Sequence, residues 1–385
     1  ITADRPIAAI ARTDWYTGGD AAIYSHALPG TEITLPLVVK AYAGQSSLVS
    51  IQNTDTSRPT TVEVSFFRSG SATALATFNR EIRPGTSITL DVDQDSALTS
   101  VANGTLGSMQ VRSQGAPVAV QAFMDIVGGK GLYAYEGAPP ERAAARLYAP
   151  LIRNDLAGTT GISVVNPGDG PVEVTVTYVG NPVSPACAGR WQHGGRSFSI
   201  GAHSSTVFYQ GNIPSLPTGS SGLPTRCVGS AVIEAVGGKV LAIVNDADLA
   251  PGSYSRGTGS SAAYNAFTDA DGASLTALPL YRKQHAGNLS LTTGIMVMNI
   301  GAAPAAASIA IRDSNGRTLP VAADMRATIA PLGTHLWLPS AMPSLPSNSY
   351  GSVVVSGDQP LVVIVNDASG TGMVDSAIYS GIKAD

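Results

Sequence analysis

The sequence predicts an all-β protein built from tandem antiparallel β-sandwiches. Gly (42 residues) and Pro (25) are abundant while charged residues make up only 13%, a composition typical of turn-rich β-proteins. Short runs rich in Val, Ile, Thr and Tyr alternate between apolar and polar residues, as half-buried strands do. The same series of runs then recurs about every 120 residues, which indicates a repeated structural unit.

Two strands of the repeat have clear markers. A Gly-Ser pair opens one strand in the segments LGSMQV, VGSAVI and YGSVVV, at Gly107, Gly229 and Gly351. The next strand ends at an aspartate, and a tyrosine strand then closes the repeat. The aspartates are Asp125, Asp246 and Asp367, and the tyrosines are Tyr135, Tyr264 and Tyr379.

Each complete repeat contains about seven alternating runs, the pattern of a two-sheet antiparallel sandwich. The predicted units are residues 33–137, 147–267 and 276–382, called here unit 1, unit 2 and unit 3. The linkers between them are short, which favours a stacked rod over independently moving domains.

Residues 1–32 contain a fourth copy of the closing hairpin without a sandwich of its own, and Asp14 and Tyr24 take the marker positions. A lone hairpin is marginally stable, and its edges invite another sheet. It is therefore the remnant of an upstream domain, a cover for the first sandwich, or a connector that adds to a neighbouring subunit. The connector is the preferred interpretation, because a head-to-tail contact produces a filament. Its candidate assembly residues are Ile7, Ile10, Trp15, Ile23 and Tyr24.

Unit 2 carries two extra loops, residues 181–196 and 212–227, and the two cysteines of the chain, Cys187 and Cys227. An even cysteine pair in a low-charge β-protein favours a disulfide formed in an oxidising compartment, although free cytosolic thiols remain the alternative. The bridge either limits loop disorder, which is favoured, or fixes a projection that presents Trp191 to a partner.

The segments GISVVNPG, VGSAVI, VLAIVND and AYNAF follow one another in this order. With them the chain resembles the tandem Ig-like β-sandwich repeats of secreted bacterial cell-surface proteins, many of them from filamentous green non-sulfur bacteria. The resemblance covers nearly the whole chain. It implies three Ig-like domains, export, a cell-surface or extracellular structural role and no catalytic activity. Unit 1 departs most, with ITLDVDQDS where the other units have VFYQGNIPS and LWLPSAMPS.

Motifs for catalysis are missing: there is no HExxH, GxSxG, phosphate-binding loop or CxxC. The net charge of −4 provides no basic stripe for nucleic acid, and no apolar run is long enough for a transmembrane helix. Two acidic clusters are weak calcium candidates, with solvated loops as the favoured alternative and no other cofactor expected. Their members are Asp91, Asp93 and Asp95 in the first and Asp269 and Asp271 in the second.

The repeated aspartates are interpreted as structural, since a strand-ending Asp accepts hydrogen bonds from the N–H groups of a following loop. The repeated tyrosines are expected in cores or at domain ends, and an exposed aromatic row for sugar is the rival. The sequence therefore predicts a non-enzymatic extracellular structural subunit that assembles with copies of itself. The alternative is a multidomain surface rod for adhesion or glycan binding.

Overall fold

The structure is a computed structural model. It describes residues 4, 7–15, 20–25, 27–126, 131–156, 158–181, 185–211, 218, 222–247, 261–287, 290–320, 322–369 and 376–384. Across these residues the protein consists of antiparallel sheets with short 3-10 turns, so the prediction of an all-β fold is confirmed. No helix in the described ranges is long and apolar enough to cross a membrane.

The N-terminal hairpin and unit 1 come first in the chain. Strands β1 (Ala11–Trp15) and β2 (Asp20–Tyr24) form the hairpin. The strands of unit 1 are β3 (Glu32–Lys40), β4 (Gln45–Asn53), β5 (Thr60–Arg68), β6 (Ala74–Ile82), β7 (Ser87–Asp91), β8 (Thr105–Ser113), β9 (Val118–Ile126) and β10 (Leu132–Glu136). They form the sheets β10-β9-β4-β7 and β3-β8-β5-β6, which enclose one apolar core.

Unit 2 repeats this order of pairing. Its strands are β11 (Arg146–Asn154), β12 (Thr159–Val165), β13 (Val172–Gly180), β14 (Arg190–Gln192), β15 (Phe198–Ile200), β16 (Ser205–Tyr209), β17 (Cys227–Val236), β18 (Leu241–Ala247) and β19 (Ser261–Asn265). The sheets are β11-β17-β13-β14, with β15 also on β13, and β16-β12-β18-β19. Strand β14 lies within the first extra loop of this unit and β15 follows that loop; both extend the first sheet by pairing with β13.

Unit 3 differs in having one long strand that serves both sheets. Its strands are β20 (Ala273–Lys283), β21 (Leu291–Asn299), β22 (Ala305–Asp313), β23 (Arg326–Ile329), β24 (Thr334–Trp337), β25 (Ser349–Ser369), β26 (Ser376–Ser380) and β27 (Ile382–Lys383). The first part of β25 pairs with β20 and β22, and its last part pairs with β21 and β26.

The short 3-10 helices lie in loops between strands. They are Ser96–Leu98, Pro140–Arg142, Pro185–Cys187, His193–Gly195, Asp269–Asp271, Ala323–Met325 and Pro339–Ala341. Pro140–Arg142 and Asp269–Asp271 follow the closing strands of units 1 and 2, and Ser96–Leu98 and Pro339–Ala341 follow the fifth strands of units 1 and 3, so these four helices lie in repeated connections.

The Gly-Ser markers are explained by a close approach of two strands. A Cβ on Gly107 would lie 1.8 Å from the carbonyl oxygen of Phe67, and one on Gly351 would lie 1.9 Å from that of Arg312. Gly229 has the same relation to Val179, at 2.2 Å. No side chain fits at these distances, which is why each unit has glycine there.

The first strand of each unit bends at a proline. The register of β3 shifts between Leu35 and Val38, on either side of Pro36. Strands β11 and β20 shift at the corresponding places, around Pro150 and Pro279. Proline lacks the N–H that a regular ladder needs, so it is accommodated at an irregularity.

A buried asparagine closes one turn in each unit. The Asn166 side chain donates from Nδ2 to the carbonyl oxygen of Gly170 (2.7 Å) and accepts from the N–H of Gly168 (3.0 Å). Asn53 and Asn299 make the same pair of contacts with their own turns. These bonds satisfy a fully buried amide and fix the turn that follows the second strand.

The units pack on one another in the same way each time, with the outer face of one unit against the core of the unit before it. Ile243 and Ala263, on the outer side of the unit 2 sheet, join the core of unit 1. Met296 and Ile364 of unit 3 join the core of unit 2 in the same way. Ile23 of the N-terminal hairpin joins the core of unit 3.

One face of the hairpin packs on unit 3, and its other face packs on unit 1. Ala22 packs with Leu132 and Ala134 of unit 1, and Tyr24 lies edge-to-face against Phe123 at 5.5 Å between ring centroids. The closing strands therefore contact in the cyclic order β2, β10, β19, β26 and back to β2. The hairpin occupies the fourth place of a closed ring whose other three places belong to the units.

Candidate functional site

The four closing strands end beside one another, and the residue after each repeated tyrosine faces the centre. These residues are Ser25, Glu136, Asn265 and Ser380. The carboxylate of Glu136 accepts hydrogen bonds from the N–H and hydroxyl of Ser25, at 2.7 and 2.9 Å. Asn265 donates from Nδ2 to the other oxygen of Glu136 at 3.2 Å and to its carbonyl oxygen at 3.0 Å. Glu136 thus links the hairpin, unit 1 and unit 2.

A cavity of about 410 Å³ opens at this convergence. Its polar groups include Glu136 and Asn265, and its apolar wall includes Leu28, Pro36 and Phe267. The volume and the mixture of apolar wall with a few polar groups are those of a small-ligand pocket. Charged side chains also line it, which makes it a candidate binding site for a polar molecule.

Ion pairs at the rim involve one of the acidic clusters. Arg142 donates from Nη2 to both oxygens of Asp271, at 2.6 and 2.7 Å. The Tyr148 hydroxyl donates to Asp269 at 2.6 Å, and burial together with this carboxylate raises the pKa of Tyr148 to about 12. Both acids of this calcium candidate are therefore engaged by protein donors.

The other acidic cluster is also engaged. Asp91 accepts from the N–H groups of Asp93 and Gln94, and Asp93 accepts from the Ser46 hydroxyl. Asp95 binds Arg80 at 2.7 Å. Within the described residues no three ligand-type side chains gather in a metal-binding group.

The repeated tyrosines of the units share one contact. The hydroxyl of Tyr264 donates to the carbonyl oxygen of Leu151 (2.8 Å) and accepts from the N–H of the same residue (3.1 Å). Tyr135 makes this pair of bonds with Leu37, and Tyr379 makes it with Leu280. Burial raises the pKa of each of these hydroxyls.

Tyr24 is the exception in the repeated series. Its hydroxyl lies 3.2 Å from that of Thr13 in the same hairpin. Three tyrosines thus connect a closing strand to the bend at the proline, whereas the contact seen for the fourth among the described residues is within its own hairpin.

The repeated aspartates occupy two different registers. Asp246 lies opposite Ala262 and Asp367 lies opposite Ala377, two residues before the tyrosine in each closing strand. At that position unit 1 has Met124, opposite Tyr133, and the hairpin has Thr13, opposite Ala22. Asp125 and Asp14 are one residue further along, on the opposite face, so the predicted fourfold equivalence is corrected to a pair.

The inward aspartates take part in buried ion pairs, and the loops whose N–H groups they were predicted to bind lie outside the described residues. Asp246 lies 3.2 Å from the Arg153 guanidinium, and Asp367 lies 2.8 Å from that of Arg282. Asp367 is also 3.6 Å from Arg12 of the hairpin. The side chain of Asp14 lies outside the described residues.

The cysteines of unit 2 form a disulfide, Cys187–Cys227, with 5.5 Å between their Cα atoms. The bridge joins the loop after β13 to the first residue of β17. Trp191 is half-buried and packs against the core of unit 2, where its ring lies against Gly189 and Gly180. It therefore does not stand out from the surface as the projection hypothesis requires.

The predicted assembly residues fall into different environments. Ile23 is buried and Ile10 is half-buried, both against unit 3 of the same chain. Tyr24 is covered by Phe123 of unit 1, whereas Ile7 is 57% exposed. The side chain of Trp15 lies outside the described residues. Ile23, Ile10 and Tyr24 are thus in contact with units 3 and 1 of the same chain.

Sequence reasoning missed Glu136 and Asn265. The signal was present, because each follows a repeated tyrosine, but a polar residue at a strand end is common and has no distance information. Only the ring of closing strands brings these residues together.

Comparisons with known proteins find weak similarity to solved structures alone. No protein-family model and no curated protein matches the chain. Among solved structures, a Thermotoga maritima protein (1070) is 17% identical over 29% of this chain and 96% of its own, with a TM-score of 0.25. Red sea bream transglutaminase is 14% identical over 64% of this chain and 32% of its own, with a TM-score of 0.12. These scores are too low to support any argument about fold or function.

Proposed function

We propose that the chain is a non-enzymatic extracellular structural protein whose copies assemble head to tail. Its three units are Ig-like sandwiches of the kind found in secreted bacterial surface proteins. The disulfide supports an oxidising compartment, because such bridges persist outside the cytosol. The protein scaffold itself is repetitive, and its repeated polar residues hold turns and strand ends together.

The observation that carries the assembly proposal is exposed apolar side chains at two different places, one before the hairpin and two at a groove. Ile7 lies ahead of the hairpin and is 57% exposed. Leu336 and Leu338, on and just after β24, are 43% and 40% exposed and line a groove of about 530 Å³ between units 2 and 3. Two unlike surfaces that fit one another give a heterologous contact, which extends into a filament unless it closes into a ring.

This proposal revises the role of the hairpin. Its apolar face packs on unit 3 and closes the chain on itself, so the segment before it, with Ile7, is the part left to contact a neighbour. Deleting residues 1–27 would uncover the core of unit 3 as well as removing the contact. Point changes on the two exposed surfaces therefore make the sharper test.

The test uses the full chain with Ile7→Asp or Leu336→Asp, and Leu75→Asp as the matched control on the edge strand β6. Wild type and control should form filaments by electron microscopy and sedimentation, whereas each surface variant stays monomeric. An equimolar mixture of the two variants should give dimers and no longer species, since each retains one intact surface. Unchanged polymers, or a mixture that stays monomeric, would rule out this contact.

A second candidate is glycan binding, and the central cavity is the observation that favours it. Glu136, Asn265 and Ser25 provide hydrogen-bond donors and acceptors, and Phe267 provides an apolar wall. A glycan array and calorimetry on wild type, Phe267→Ala and Trp191→Ala would separate the cavity from the extra loops. Absence of any glycan binding would leave the structural role alone.

A further inference from the structure

Units 1 and 2 also meet outside the central cavity. The outer face of strands β3 and β8 in unit 1 is covered there by the turn between β15 and β16 of unit 2. Gly70 donates from its N–H to the carbonyl oxygen of Ser205 at 2.9 Å, and the Ser69 hydroxyl donates to the same oxygen at 2.9 Å. Phe67 lies beside His203 of that turn, with 6.3 Å between the ring centroids. These contacts join the two sandwiches side to side.

Three polar atoms at this contact are buried and have no hydrogen-bond partner among the described residues. They are Thr34 Oγ1, Ser108 Oγ and His203 Nδ1. Thr34 and Ser108 are only 3% and 2% exposed. Leaving a buried polar atom unpaired is unfavourable, and in folded proteins such atoms are bonded to protein groups or to ordered water. A ligand is therefore expected where these three atoms come together.

The three residues line one small cavity between the units. The volume open to the centre of a water molecule is about 10 Å³ there, which is about the least that holds one water. Buried apolar side chains, among them Phe67, Met109 and Val165, form the rest of the wall. Because no two of the three polar atoms bind each other, the ligand must be very small and must form hydrogen bonds on several sides.

The chemistry of the three atoms fits water. Nε2 of His203 lies 3.1 Å from Oδ1 of Asp169. A carboxylate only accepts, so in the neutral ring the proton is on Nε2 and Nδ1 is an acceptor. The hydroxyls of Thr34 and Ser108 can each donate or accept. Water can donate to Nδ1 and bond with both hydroxyls, which gives the three bonds that a buried water usually makes.

The corresponding contact between units 2 and 3 has a direct bond. Ser230 is the serine of the Gly-Ser marker in unit 2, as Ser108 is in unit 1. Its hydroxyl donates to the carbonyl oxygen of Leu332 at 2.8 Å. Leu332 occupies the place of His203 in its turn, and both residues have a positive φ, of 61° and 53°. The same serine thus faces the next unit in both places, bonded directly in one and bordering a cavity in the other.

We infer that one ordered water molecule binds in this cavity and links Thr34 and Ser108 of unit 1 to His203 of unit 2. It donates to Nδ1 of His203 and bonds with both hydroxyls. It thereby has the role that the direct bond of Ser230 has between units 2 and 3. None of these residues belongs to the filament surfaces or lines the central cavity, so the water site holds or fails separately from both.

A crystal structure of the full chain locates the water directly. We expect a density peak at hydrogen-bond distance, about 2.6–3.2 Å, from Thr34 Oγ1, Ser108 Oγ and His203 Nδ1. In solution, magnetic relaxation dispersion of water counts the molecules that stay inside the protein for longer than its tumbling time. The fully enclosed site should contribute one molecule to that count.

Two double variants assign this molecule to the cavity. Ser108→Ala with Thr34→Val removes both hydroxyls and should lower the count by one. Ser65→Ala with Thr77→Val is the matched control, because these two hydroxyls lie on the same sheet, 3.0 Å from each other and outside the cavity. The control should leave the count unchanged. Circular dichroism and melting curves show whether both variants fold, and the wild-type crystal structure decides if the cavity variant does not.

An empty cavity in the crystal structure would overturn the inference, and so would an equal count of long-lived waters in the wild type and the folded cavity variant. A sodium or ammonium ion in place of water would also overturn it. Such an ion would be recognised because its occupancy depends on the concentration of that ion, whereas the occupancy of water does not.

Discussion

Met124 of unit 1 occupies the strand position that Asp246 occupies in unit 2. The Ser47 hydroxyl lies 2.9 Å from the sulfur of Met124, and the Thr160 hydroxyl lies 3.2 Å from the carboxylate of Asp246. Unit 2 also has Arg153 beside this carboxylate, where the alignment at the proline bend gives Val39 in unit 1. The same two positions of the sandwich are therefore occupied by the ion pair of Asp246 and Arg153 in unit 2 and by the apolar residues Met124 and Val39 in unit 1.

This exchange predicts how unit 2 responds to substitution. Asp246→Met alone leaves the largely buried Arg153 guanidinium without its carboxylate and should lower the free energy of unfolding by about 3–5 kcal/mol. Asp246→Met combined with Arg153→Val reproduces unit 1 and should recover most of that loss. Urea unfolding of the three proteins measures both values. A double variant as unstable as the single one would show that the two environments are not interchangeable.

The tyrosine contacts should contribute directly to stability. Tyr264→Phe removes the hydroxyl that donates to and accepts from Leu151, and leaves a buried N–H and carbonyl with one partner fewer. We expect a loss of about 1–3 kcal/mol in the free energy of unfolding. Tyr350→Phe, at a ring that is 45% exposed, is the control and should have no measurable effect. Equal effects of the two changes would contradict the role of the hydroxyl.

Docking of the hairpin should depend on Ile23. Truncation to Ala removes a side chain that is 2% exposed in the core of unit 3, at a cost of about 2–5 kcal/mol for a fully buried Ile. The hairpin should then be cleaved faster in limited proteolysis, with the sites identified by mass spectrometry. Ile7→Ala is the matched control, because Ile7 is exposed. Unchanged cleavage of the Ile23 variant would mean that the hairpin is held by other contacts.

Asp125 predicts a pH dependence of stability. Burial raises the pKa of Asp125, and the carboxylate of Asp91 raises it further. The folded chain therefore holds this proton more tightly than the unfolded chain, so stability is lost as the pH rises through the folded pKa. Asp125→Asn should raise the melting temperature at pH 7 and leave it unchanged near pH 3. Glu63→Gln on the other sheet is the control, and a gain at both pH values would exclude ionisation as the cause.

The disulfide should stabilise unit 2 by restricting its unfolded state. The cysteines are 40 residues apart, and a loop of that length corresponds to about 3–4 kcal/mol in the chain-entropy model. Replacing both cysteines with Ser should lower the free energy of unfolding by this amount, and reduction of the wild type should have the same effect. The double Ser variant should be insensitive to reductant, which serves as the control. A wild type whose stability and intact mass do not change on reduction would contain no bridge.

The all-β fold could be predicted from the sequence because its signals are local. The alternation of apolar and polar residues along a strand indicates which face is buried. Glycine is required at Gly107, Gly229 and Gly351 because the backbone of the neighbouring strand leaves no room for a Cβ atom. The polar repeats Asn53, Asn166 and Asn299 were visible because each side chain contacts its own turn, although each also donates to a carbonyl oxygen 29 to 35 residues away.

The equivalence of Asp125 with Asp246 failed because spacing does not determine register. A shift of one residue moves a side chain to the opposite face of a sheet, and the loop after β9 differs from the others enough to hide it. The pairing of β9 with β10 is needed to show that Met124 is the inward residue and that Asp125 faces outward.

The sequence by itself determined the β-rich composition, the repeat and the presence of an orphan hairpin. Only the tertiary structure decided where that hairpin goes: Ile23 enters the core of unit 3, and Ser25 binds Glu136 beside Asn265. These residues are more than 100 positions apart, and no local propensity encodes such a contact. They meet because each outer face is apolar and is buried only when the next closing strand covers it, which brings four strand ends around one cavity.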